Sequence, residues 1–88
     1  MLIEFDAEKR AQTLLHRGLD FADAAAVFAG RAITFEDARR SYGEHRFITI
    51  GELGERMVVI AWTQRSEARR IISMRKANDR EQALYELG

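Results

Sequence analysis

The hydrophobic period of this chain changes at Gly30, and that change limits the folds open to it. Before Gly30, apolar residues recur at helical spacing: Ala11, Leu14 and Leu15 in one stretch, then Phe21, Ala24, Ala25 and Phe28 in the next. After Gly30, short β-branched and aromatic runs alternate with turn residues. Met57-Val58-Val59-Ile60-Ala61-Trp62-Thr63 is the clearest of them. Strands this close in sequence leave no room for crossover helices, so they must pair antiparallel.

The boundaries follow from capping and turn chemistry. Leu2–Phe5 alternates and reads as a first strand, and Asp6 suits the N-cap of a helix over Ala7–Arg17, ended by Gly18. Asp20 caps a second helix, Phe21 to about Ala29. Ala32–Phe35 is strand-like, and Glu36–Gly43 is a polar loop. Strands over His45–Gly51, Arg56–Gln64 and Ala68–Met74 are joined by turns at Glu52–Glu55 and Arg65–Glu67. Asn78, with Glu81 three residues on, opens a last helix through Leu87. The expected order is β-α-α-β-β-β-β-α: an α+β fold with a mostly antiparallel sheet and helices on one face.

With 88 residues, a single domain over 1–88 is expected, with a modest core. Hydrophobic residues at 47% and charged residues at 32% mark a globular chain rather than a disordered one. Absence of cysteine removes disulfides, thiolate catalysis and cysteine-based zinc sites. No apolar run nears the ~20 residues that span a bilayer. The start, Met1-Leu2-Ile3-Glu4-Phe5-Asp6, is acidic and alternating rather than leader-like, so a cytoplasmic location without membrane contact is expected.

Net charge is zero, but its distribution is uneven: residues 65–80 hold six basic residues against Glu67 and Asp79. His16 and His45, the only two histidines, fall in different elements without metal-ligand spacing, so no metal site is expected. Phosphate-binding glycine loops and nucleophile elbows are absent from the sequence, and no cofactor is expected. An arginine-rich sheet remains. By strand alternation, Arg69, Ile71, Ser73 and Arg75 point one way and Arg70, Ile72, Met74 and Lys76 the other. If Ile48, Ile50, Ile72 and Met74 face the helices, an open face carries His45, Thr49, Ser73 and Arg75, with Phe47 and Ile71 partly exposed. Such a face suits a phosphate backbone and a stacked base. Cleaving RNA there needs a proton acceptor, for which His45 or Glu44 are candidates, and a cation on the phosphoryl oxygens, for which arginine is suited. The bland reading is that these arginines are solvated edges or ion-pair partners. Trp62 belongs to the core on area grounds.

Several stretches read together carry a resemblance: Ile3-Glu4-Phe5-Asp6 with Lys9; Gly18-Leu19-Asp20-Phe21 with Ala24-Ala25 and Val27-Phe28; Gly43-Glu44-His45-Arg46-Phe47 with Ile50-Gly51; and Arg70-Ile71-Ile72-Ser73-Met74-Arg75-Lys76-Ala77 with Arg80-Glu81 and Tyr85. The chain resembles the BrnT toxin family from end to end. The resemblance implies a RelE-like fold, a ribonuclease that arrests growth, and a BrnA-like antitoxin with a ribbon-helix-helix segment, through which the complex would reach operator DNA. Its motif positions are Lys9, Arg46, Arg70, Arg75, Arg80 and Glu81. Thr13 and His16-Arg17 stand where the family often has asparagine and Lys-His. Combining both readings, Arg75, Arg46, Arg70, His45 and Glu44 are the catalytic candidates, and Lys9, Lys76, Arg80 and Ser73 the RNA-binding ones. The alternative is a non-catalytic or degenerate module that binds antitoxin or nucleic acid in operon repression.

Overall fold

The computed structural model describes residues 1–38 and 43–88. It is a mixed α+β fold with a five-stranded, mostly antiparallel sheet. In chain order the elements are β1 (Leu2–Phe5), α1 (Ala7–Arg17), a 3₁₀ turn (Phe21–Asp23), α2 (Ala24–Ala29), β2 (Ala32–Glu36), β3 (Arg46–Leu53), β4 (Arg56–Arg65), β5 (Ala68–Lys76) and α3 (Asp79–Leu87). The strands lie in the order β1-β5-β4-β3-β2, and only β1–β5 is parallel. The second helix is shorter than its apolar stripe implies: it opens as the 3₁₀ turn, tightened by an Asp20 carboxylate that accepts from the Ala22 N–H at 2.9 Å. Of the loop expected over Glu36–Gly43, residues 39–42 lie outside the described residues, while Glu36 ends β2 and Asp37 is buried.

The helices do not share one face. The 3₁₀ turn and α2 cover Val58, Ile60, Trp62, Ile71 and Met74, while α3 covers Ile50 and Val59 from the other side with Tyr85. The cause is legible in β4: a continuous apolar run has hydrophobic side chains on both faces, and each needs cover. Gly51 permits the first contact, because a Cβ there would come within 2.8 Å of Val27 Cγ1 and 3.2 Å of the Ala32 Cβ. Below, the two sides are called the α2 face and the α3 face.

Helix α1 departs further from expectation. Its apolar residues Ala11, Leu14 and Leu15 are exposed, Leu15 by 76%, and no residue of α1 is buried. The 3₁₀ turn and α2 already occupy the sheet, so α1 sits at its margin and is held by polar contacts. Asp6 accepts from the N–H groups of Glu8 and Lys9, Arg10 forms a two-bond ion pair with Asp20 (2.7 and 3.0 Å), and Arg17 donates to the Met74 carbonyl (2.9 Å). The guanidinium of Arg10 and the Ala22 N–H hold the Asp20 carboxyl down at about 2, below the usual carboxylate range.

Candidate nucleic-acid interface

One extra residue decides which arginines of β5 share a face. Along β4–β5, Ala61 lies opposite Ser73 and Trp62 opposite Ile71, so Ile72 has no partner. This is a β-bulge, which shifts the alternation of everything on one side of it. Upstream of it Arg70 lies opposite Thr63, and downstream Arg75 lies opposite Val59. Cross-strand partners share a face, and Val59 and Thr63 both alternate away from Ile60 and Trp62. Arg70, Ser73 and Arg75 therefore all project from the α3 face. The expectation that Arg70 and Arg75 point oppositely is overturned by the bulge.

The rest of the presumed open face is rearranged too. Ile48 and Ile50 lie opposite Ala61 and Val59, which puts them on the α3 face with Ser73 and Arg75, not with Met74. Thr49 is 0% exposed and belongs to the α2-face core, where its hydroxyl accepts from the Trp62 Nε1–H at 2.8 Å and shares a 2.8 Å bond with Thr34. Phe47 stacks on Trp62 with ring centroids 4.8 Å apart, and Ile71 is buried. Trp62 is core, as its area required, and only 5% exposed. His45 does not join the arginines. Its ring is 81% exposed and its Nδ1 lies 3.3 Å from Glu36, a residue paired with Phe47 on the α2 side.

What the α3 face does bring together, at the end not covered by α3, is a charge cluster. Arg46 and Arg70 flank Thr63 on one cross-strand row. Two strand spacings separate their backbones by about 9–10 Å, the width of a phosphodiester group between two long side chains. The Glu44 carboxylate accepts from Arg46 Nε at 3.2 Å and lies 3.7 Å from Arg65 Nη2. Glu4, beside Arg70 on β1, is 3.8 Å from its Nη1. The Thr63 hydroxyl donates to the His45 carbonyl at 2.6 Å and ties β4 to the strand that carries Arg46. Consecutive arginines here are divided by alternation. Arg69 turns to the α2 face and sits over the rings of Trp62 (4.3 Å) and Phe28 (4.5 Å), while Arg70 turns to the cluster.

Arg75 stands apart from this cluster in its bonding. Its Nη1 and Nη2 donate to both oxygens of Glu81 (2.7 and 2.6 Å), and Glu81 also accepts from the Asn78 N–H in the capping box of α3. Arg75 thus clamps the start of α3 to the sheet. With Glu81, Phe35, Asp37 and Ile48 it lines a small cavity of about 180 Å³. Lys9 and Ser73 meet in another groove, about 340 Å³, between α1 and β5, together with His16 and Arg17. Lys76 lines a third, with Glu52, Arg56 and Gln82, and Arg80 is exposed on the first turn of α3.

Residues that sequence reasoning passed over are Arg65, Thr63 and Glu4. Arg65 reads as a turn residue, and the parallel pairing of β1 that delivers Glu4 has no short-range signal. Among the described residues, no group of three or more His, Asp or Glu side chains is placed to hold a metal ion, and no helix is long and apolar enough to cross a membrane.

The profile of a family described as the ribonuclease toxin BrnT of type II toxin–antitoxin systems matches residues 5–81, from the end of β1 into the first turn of α3. The chain belongs to this family. It is a ribonuclease toxin of a type II toxin–antitoxin system, and an antitoxin is its partner. No curated protein matches it. The BrnT match spans the bulge, the Arg46–Arg70 row and the Arg75–Glu81 clamp alike.

Proposed function

We propose that this BrnT chain cleaves RNA without a metal ion at the Arg46–Arg70 row, and that Glu44 accepts the first proton. The observation that carries the reading is the β3–β4–β5 register, which sets Arg46 and Arg70 on either side of Thr63 on one face, with Glu44 bonded to Arg46. In the reaction, the ribose 2′-oxygen bonds to the neighbouring phosphorus and its proton passes to Glu44. The bond from phosphorus to the 5′-oxygen breaks, leaving a 2′,3′-cyclic phosphate, and the departing oxygen takes a proton from water. Arg46 and Arg70 stabilise the added charge on the phosphoryl oxygens, a task that the fixed guanidinium fork fits. Arg65 holds Glu44 in place.

Lys9 and Ser73, in the neighbouring groove, bind the adjoining RNA backbone. Lys76 lies six residues beyond Arg70 along β5, about 20 Å away, and with Arg80 supplies general attraction to RNA rather than chemistry. Arg75 is a brace, and His45, on the far side, is not the base. The same reading takes the fold as RelE-like and the antitoxin as BrnA-like. Its ribbon-helix-helix segment would carry the complex to operator DNA, and the antitoxin would cover part of the arginine-bearing face. The test is incubation of purified, antitoxin-free protein with RNA, with and without EDTA. Cleavage unaffected by EDTA and ending in cyclic phosphate supports the reading; cleavage that EDTA abolishes contradicts it.

A further inference from the structure

The two edges of the sheet are treated differently. On one side β1 is only four residues long and carries Glu4, and past its end Arg17 donates to the Met74 carbonyl at 2.9 Å, closing an outward acceptor of β5. Short strands, charges and capped groups are the usual means of keeping an edge from pairing. On the other side β2, Ala-Ile-Thr-Phe-Glu, has no lysine or proline, and its single charge is at its end.

The ladder fixes which groups of β2 point outward. The Asp37 N–H donates to the Arg46 carbonyl at 2.8 Å, in continuation of the β2–β3 register. Bonded and non-bonded pairs alternate along an antiparallel ladder. Phe35 and Ile33, opposite Ile48 and Ile50, therefore bond inward to β3. Ala32, Thr34 and Glu36 turn both N–H and C=O outward, and among the described residues none of these six groups has a backbone partner.

We propose that this edge pairs with β2 of a second copy of the chain, antiparallel about a two-fold axis through Thr34, to form a continuous ten-stranded sheet. The strand is self-complementary in that register. Ala32 meets Glu36 of the other copy, Thr34 meets Thr34, and all six outward groups are satisfied. Like charges are nowhere opposed within the strand. Ile33 meets Phe35 of the other copy as a non-bonded pair, the kind in which side chains come closest. Both lie on the α3 face, and Phe35 is exposed in the single chain. Helix α3 ends against the same strand, where a Cβ on Gly88 would come within 2.6 Å of Ile33 Cγ2, and its Leu84 and Leu87 are exposed as well. Pairing extends this apolar surface across the two-fold axis. The proposal is independent of the ribonuclease reading.

The experiment is sedimentation equilibrium of the full chain over a concentration series, joined to hydrogen exchange read residue by residue. The expected mass is twice the 10.1 kDa of the chain, with the Thr34 amide protected although it points away from β3. Thr34→Pro, which removes an outward donor, and Phe35→Lys, which changes only an exposed side chain, should each return the mass to that of one chain. A monomer at every concentration overturns the proposal. So does a dimer that persists in a folded Phe35→Lys variant. A Thr34 amide that becomes protected only when antitoxin is added overturns it too, and assigns the edge to the antitoxin instead.

Discussion

Arg70 and Arg75 project from the same face of β5 because Ile72, between them, has no partner on β4. An odd number of steps separates the two residues, so regular alternation would place them back to back. Bulges recur where a side chain is re-aimed at a site. Here the one extra residue turns Arg75 onto the face where the hairpin register sets Arg70 across Thr63 from Arg46, and Arg75 is engaged there by Glu81.

The Arg75–Glu81 clamp predicts a structural phenotype. Arg75→Ala removes two short charged hydrogen bonds at a partly exposed site, so a loss of about 1 kcal/mol is expected. With antiparallel β4–β5 pairing otherwise intact, a thermal melt should fall by several degrees while RNA cleavage below the melt is retained. A variant that melts like the parent but cannot cleave would move Arg75 into the chemistry.

The Thr49 hydroxyl predicts a larger cost. It accepts from the buried Trp62 indole, and a valine of nearly equal shape would leave that N–H unpaired. Thr49→Val should destabilise the protein by about 1–3 kcal/mol, measurable by urea unfolding. An unchanged midpoint would mean that the indole finds another acceptor.

Two hairpins offer a matched comparison. Both β3–β4 and β4–β5 are closed by two-residue loops, and the first loop position has positive φ in each: Gly54 at 63° and Ser66 at 53°. Glycine adopts that conformation without steric cost, whereas the Cβ of serine crowds a backbone carbonyl oxygen there. Ser66→Gly should stabilise the protein by about 0.5–1 kcal/mol and raise the melting temperature by roughly 2–8 °C. A lower melting temperature would show that the loop gains more from serine than it loses to strain.

The Arg10–Asp20 pair gives stability a defined pH dependence. The Asp20 carboxyl is held at about 2 in the folded protein, against 3.8 for an ordinary aspartate. A depressed carboxylate contributes stability that is complete above the unfolded value and is lost as pH falls through the folded one. Unfolding midpoints should therefore drop between about pH 4 and pH 2, and Asp20→Asn should flatten that part of the profile. Identical profiles for the two proteins would remove the pair from the acid response.

Much of this was legible in the residues, and the failures have physical causes. The β-branched runs around Ile48, Val59 and Ile71 mark three strands because such side chains suit a pleated surface. Asp6, Asn78 and Glu81 mark helix starts through cap chemistry. The face of each strand was not legible. An apolar residue on both sides of β4 hides which side is covered, and an unpaired Ile72 looks like any other isoleucine in a strand. Helix α1 misleads for the opposite reason: Leu14 and Leu15 have helical spacing, yet the sheet is already covered by Phe21 and Val27. At the candidate site, Arg46, Arg70 and Glu44 could be named from the sequence. Arg65 and Glu4 reach the site only through pairings between distant segments. His45 falls on the side away from Ser73 and Arg75 because Ile48 and Ile50 pack under α3 rather than with Met74, a choice of layer that strand alternation leaves open.

The most direct test of the account is cleavage of RNA by Arg70→Ala, beside Arg70→Lys, in the purified, antitoxin-free protein. Arg70 is about one-third exposed and its Glu4 contact is long, so its loss should leave the thermal melt within about 0.5 kcal/mol of the parent. A guanidinium acting on a developing phosphoryl charge should cost about 10²–10³-fold in rate when removed, with lysine restoring only part. That combination, slow cleavage by a folded protein that still binds its antitoxin, is the predicted result. An Arg70→Ala variant that cleaves RNA at the parent rate would contradict the assignment of the Arg46–Arg70 row as the catalytic face.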